Sequence, residues 1–127
     1  MVGMVIRDAH FPGRAPIDAY GNGGFRFADM SHKGSLLCIP SGIYGWDPVS
    51  PDAVTPDALA RVIEECADID VLLVGVGPMP VPLADETAAA LRKAGVRFDT
   101  MNTGAAVRTY NVMIAEERRV AAGFIAI

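Results

Sequence analysis

Apolar and polar positions along the chain divide it into strands and helices of different kinds. Ile17–Tyr20 and Phe25–Phe27 alternate over a few residues and enclose Gly21-Asn22-Gly23-Gly24. Asn-Gly supplies the positive φ angles of a primed two-residue turn, so this stretch predicts a β-hairpin. Ser35–Ile39 is apolar and stopped by Pro40, and predicts a third strand. Ser41–Trp46 reads as a hinge of glycines and aromatics, and Ser31-His32-Lys33-Gly34 as a solvated polar turn. Thr55-Pro56 places a capping side chain before a first-turn proline. Leu59, Val62, Ile63 and Cys66 then follow at helical spacing.

Asp70–Val76 has no polar alternation after its first residue. Such a run predicts a strand buried on both faces, in the interior of a parallel arrangement. Helix is expected at about 84–94, ended by Gly95, with a short strand at Val96–Asp99. Strand, helix and strand at this spacing form a βαβ unit with parallel strands. A third helix is expected at about 104–117, with Thr103 as cap and Ala106, Tyr110, Met113 and Ile114 on its buried stripe. Arg119–Ile127 closes the chain as an apolar strand. Residues 1–16, with Pro12, Gly13 and Pro16, read as a loosely attached arm. The expectation is one α/β domain over 1–127. It is a three-layer sandwich with a central mixed sheet, flanking helices and an N-terminal hairpin.

The 127 residues are 51% hydrophobic and 20% charged, enough for a core without metal or disulfide staples. The net charge of −4 disfavours nucleic acid, which needs a basic face. The longest apolar runs, Val71–Val76 and Val120–Ile127, are far too short to span a bilayer. The start of the chain lacks the pattern of a signal peptide. Cys38 and Cys66 read as reduced residues serving packing, so a cytoplasmic location is expected.

Candidate chemistry is sparse. Gly75-Val76-Gly77 follows the buried strand, but Pro80 stands where a dinucleotide fingerprint needs its third glycine. Ser41 is not in a nucleophile elbow, and two isolated histidines support neither a triad nor a metal site. No cofactor is expected, and the reading leans away from an enzyme. One pocket remains as an expectation, at the carboxyl ends of the parallel strands. Gly75, Gly77, Thr103, Gly104, Ala105 and Arg108 would form it, joined by Tyr44 and Trp46 from the hinge and supported by Asn102 and Asn111. The first turn of the third helix carries no acid, so its N–H groups and Arg108 suit a small anion. The competing reading is a plain cap at Thr103, a surface pairing for Arg108, and aromatics that close the core.

Several segments together resemble a known family. They are Tyr20–Phe27, Gly34–Leu37, Leu72–Gly77, Asn102–Asn111 and Glu117–Ala122. The chain is similar to a small single-domain family of uncharacterised bacterial and archaeal proteins. Its eukaryotic relatives include a mitochondrial complex I assembly factor and an adipogenesis-associated protein. The resemblance covers roughly residues 17–127. It implies a three-layer α/β fold, no established activity, and a role as a non-enzymatic accessory or assembly protein. It also implies a respiratory-complex subunit or assembly component as partner. Relatives often carry an acid at the place of Asn102, and the mitochondrial relative lacks an arginine at that of Arg108. Gly75, Gly77, Thr103 and Asn111 carry over better. The alternative is an enzyme or binder of a small anionic ligand.

Overall fold

The computed structural model describes residues 10–127. A five-stranded mixed sheet lies at the centre in the order β5-β4-β8-β6-β7. These strands are β4 (Ser35–Ile39), β5 (Gly42–Trp46), β6 (Val71–Gly75), β7 (Phe98–Met101) and β8 (Val120–Phe124). β6 pairs in parallel with both β7 and β8, while β4 pairs antiparallel with β5 and β8. The parallel pair predicted from the βαβ spacing is therefore present. β6 is interior, and the middle position belongs to the C-terminal strand β8.

A separate three-stranded antiparallel sheet holds β1 (Ala19–Gly21), β2 (Gly24–Phe27) and β3 (Met30–Lys33). The predicted hairpin pairs Gly21 with Gly24 around Asn22 and Gly23, at φ 53° and 80°. The next hairpin was not foreseen. Residues 31–33 form strand, not a polar turn, and Ala28 and Asp29 make the reversal at φ 47° and 61°. A primed turn built without glycine carries no sequence signal.

Other expectations shift. The hinge at Ser41–Trp46 is strand β5, paired along its length with β4. The first helix is short: α1 (Ala60–Glu64) is flanked by 3-10 turns at Asp57–Leu59 and Cys66–Asp68. Thr55 still serves its start, accepting the Ala58 N–H at 3.2 Å. Helix α2 (Asp85–Lys93) ends where the Gly95 N–H meets the Arg92 carbonyl. The strand expected at 96–99 begins two residues later, at Phe98. Helix α3 spans Thr103–Ala115.

The core has two parts, one on each face of the main sheet. Leu37, Trp46, Leu72, Val74, Ala121 and Leu91 belong to the side covered by α1 and α2. Leu36, Cys38, Leu73, Ala122, Phe124 and Tyr110 belong to the side covered by α3 and the small sheet. Inward residues alternate between the two sides along β4, β6 and β8, as the period of two in a strand demands.

Of the expected arm, residues 1–9 lie outside the described residues. Residues 10 and 11 run beside β5, where the His10 N–H donates to Ile43 and the Ile43 N–H donates to Phe11. Ala15 and Ile17 are buried.

Candidate functional site

The residues expected in one pocket separate into two places. Gly75, Gly77 and Thr103 meet at the carboxyl end of β6. The Thr103 N–H donates to the Gly77 carbonyl at 2.8 Å, and the Gly77 N–H donates to Thr103 Oγ1 at 3.0 Å. Thr103 Oγ1 in turn donates to the Ile125 carbonyl at 2.7 Å. Thr103 is fully buried and locks β6, α3 and the chain end together. Gly75 lets α3 approach the sheet, since a Cβ there would stand 3.0 Å from Thr103 Cα. Gly77 turns at φ 105°, a conformation that favours glycine.

The cap of α3 is Asn102, whose side chain accepts the Ala105 N–H at 2.8 Å. Thr103 was expected there. It sits inside the first turn because its hydroxyl is taken by tertiary partners. The N–H groups of Thr103, Ala105 and Ala106 are thus engaged within the chain. Gly104 faces the Tyr20 hydroxyl and the Arg108 guanidinium. Asn111 acts two turns further on: its amide donates to the Ile17 carbonyl at 2.9 Å and its oxygen accepts the Ile17 N–H at 2.8 Å. This two-bond clasp holds the entrance of the small sheet against α3.

Tyr44 and Trp46 lie on the other face of the main sheet. There they border an open groove of about 890 Å³ with Asp47, Asp57, Arg61 and Glu64. The Trp46 indole N–H donates to the Ala58 carbonyl at 2.8 Å. The Arg61 guanidinium rests 4.3 Å from the centre of the Tyr44 ring, a cation–π contact. The Tyr44 hydroxyl meets Ser41 Oγ at 2.7 Å, and Ser41 donates from its hydroxyl and its N–H to the Glu65 carboxylate. Sequence reasoning picked out the two aromatics but missed Arg61, Asp57 and Glu64. Charged residues beside an apolar helix stripe carry no local sign of a site, and only the fold brings them beside β5.

Two further groups stand out electrostatically. Burial pushes the Cys38 thiol up to about 12, against a smaller lowering by its hydrogen bond with Tyr110. The ring of His32 lies 4.9 Å from that of His10 and its Nε2 meets the Ser35 carbonyl at 3.1 Å. Burial holds His32 below the ordinary histidine value, with a smaller contribution from His10. Among the described residues no three of His, Cys, Asp and Glu group to hold a metal ion. No helix there is long and apolar enough to cross a membrane.

Comparison with known proteins adds to this geometry. A family model described as a protein of unknown function (DUF498/DUF598) matches residues 17–125. An uncharacterized protein of Rhodobacter capsulatus is 34% identical over 122 residues, covering 96% of this chain and 93% of its own. NADH dehydrogenase (ubiquinone) 1 alpha subcomplex assembly factor 3 of Drosophila melanogaster is 28% identical over 112 residues. That match covers 86% of this chain and 57% of the factor's length. A crystal structure from Bartonella henselae, described as an outer membrane protein, superposes with a TM-score of 0.89 at 58% identity. It covers 92% of this chain and 98% of that one. The resemblance read from the sequence is borne out for the uncharacterised bacterial proteins and for the assembly factors.

Proposed function

This chain belongs to the DUF498/DUF598 family, and from that premise we propose that it is a non-enzymatic accessory protein that holds a protein partner in the Tyr44–Trp46–Arg61 groove. The observation that carries the reading is that this open groove lies in the region the chain shares with complex I assembly factors. Aromatic and arginine side chains lead the contacts that carry binding energy in protein interfaces. Here Tyr44 and Trp46 are mostly buried in the core and show only their edges to the groove, Trp46 fixed by Ala58, while the half-exposed Arg61 lies over the Tyr44 ring. Asp47, Asp57 and Glu64 give the rim an acidic character suited to a basic segment of the partner. By this reading the partner is a subunit or assembly component of NADH dehydrogenase.

The test is affinity purification from crosslinked cells that make a tagged chain, compared with its Arg61→Glu variant. NADH dehydrogenase components should be enriched with the wild type and lost with the variant. Their absence from the wild-type sample would overturn the reading. We place the chain in the cytoplasm, a location supported by its two unbridged cysteines. Fractionation that found it in the membrane would contradict that placement.

A small anion at the start of α3 is a second reading. It is favoured by a first turn without acid and by Arg108 beside Gly104. The N–H groups already engaged there count against it. A phosphate titration followed by amide shifts of Gly104, Ala105 and Gly77 decides it. Unmoved signals at millimolar phosphate would sink the anion.

A further inference from the structure

The two edges of the main sheet are treated differently. β5 is covered by residues 10 and 11, but among the described residues no strand pairs with the outer side of β7. The carbonyls of Arg97 and Met101 accept from Leu72 and Val76, so they point inward to β6. Backbone groups alternate in direction along a strand, which turns the N–H and C=O of Phe98 and Thr100 outward. Arg97 and Asp99 lie on one face of this edge and both are exposed. Phe98 lies on the opposite face, half-buried, with the Arg92 guanidinium 5.6 Å from its ring centre.

We propose that this edge pairs with β7 of a second copy of the chain, antiparallel about a two-fold axis at Phe98, making one continuous ten-stranded sheet across the dimer. The charge pattern selects both the occupant and the register. Centred on Phe98, the two copies exchange N–H···O=C bonds between their Phe98 residues. Arg97 of each copy then faces Asp99 of the other, twice over, and opposite charges directly across a ladder are favourable. Centred one residue later, on Asp99, the same edges would set two carboxylates against each other, which is destabilising. An isologous contact needs a self-complementary patch, and Arg97-Phe98-Asp99 is one. Arg97 also lies near Asp70, but Asp70 is already bound by Arg119 at 2.7 Å. A single strand pair buries little surface, so the dimer is weak and concentration-dependent.

Sedimentation velocity from micromolar to millimolar chain, with amide hydrogen exchange at Phe98, tests the pairing. The wild type should dimerise as concentration rises, and the Phe98 amide should slow in step. Arg97→Asp and Asp99→Arg should each weaken dimerisation about tenfold or more, because like charges then face each other. Mixed in equal amounts, these two variants should associate again, since every cross-strand pair becomes Asp against Arg. This rescue cannot come from a variant that has merely unfolded. A wild type that stays monomeric, with a Phe98 amide indifferent to concentration, would overturn the proposal. So would dimerisation that neither variant weakens, or a mixture no more associated than its components.

Discussion

The six-membered ring of Trp46 fills the space above Gly123: a Cβ built there would stand 2.6 Å from the indole Cη2. The ring cannot easily retreat, because its N–H is fixed to the Ala58 carbonyl. Gly123→Ala should therefore destabilise the fold by about 1–3 kcal/mol, the usual penalty of overpacking. Trp46 is the chain's one tryptophan. Its fluorescence during urea unfolding gives the stability, and its native emission should shift red as the ring is pushed into the groove. An unchanged midpoint and spectrum would show that the contact is slack.

Thr103 joins three segments through one hydroxyl. Thr103→Val keeps the shape but leaves the Gly77 N–H and the Ile125 carbonyl without that partner. Each buried group left unpaired costs about 1–3 kcal/mol. Thr103→Ser, which keeps the hydroxyl, should lose clearly less. Paired denaturation curves check the order, and equal losses would assign the effect to packing.

Cys38 and Cys66 should react very differently. The Cys38 thiol is buried and held up to about 12, so almost none of it is thiolate at neutral pH. Cys66 is part-exposed and unbridged. A thiol reagent should label one cysteine per native chain and two in denaturant. Rapid native labelling of Cys38 would contradict its packing.

His32 makes stability depend on pH. Its folded value lies below the ordinary 6.5, by burial first and then by His10, while the Ser35 carbonyl opposes the shift. The folded state thus favours the neutral ring, and the unfolded chain takes up the proton first. Stability from this group is present above about 6.5 and is lost as pH falls through the lowered folded value. Urea midpoints should fall between neutral pH and about pH 5.5, and His32→Gln should flatten that slope. An unaltered slope in His32→Gln would assign the dependence to other groups.

The wild-type packing of β6 predicts one further cost. Leu73 is 2% exposed and lies on the face of the sheet that α3 covers. Leu73→Ala should lose about 2–5 kcal/mol, from transfer plus the cavity left behind. A chemical-denaturation loss below about 1 kcal/mol would mean that the neighbours close the gap.

The elements with a strong local signal were legible from the sequence. Asn22-Gly23 dictates its turn, the apolar run of β6 dictates burial on both faces, and Gly95 ends α2, because each rests on the conformational limits of a few neighbouring residues. Tertiary contacts decided the rest. Ala28-Asp29 can turn because β3 is held against β2, and Gly42–Trp46 is strand because β4 supplies its hydrogen bonds. The site divided for the same reason. Tyr44 and Trp46 were grouped with Gly77 and Thr103 by their loop-like sequence, yet β5 and α3 present them on opposite faces of the sheet. Thr103 looked like a cap because its preference is local, but Gly77 and Ile125, 26 and 22 residues away, claim its hydroxyl. A sequence states what each residue can do with its neighbours. Which distant backbone group a buried hydroxyl meets, and which face an aromatic ring covers, follow only once the strands have paired.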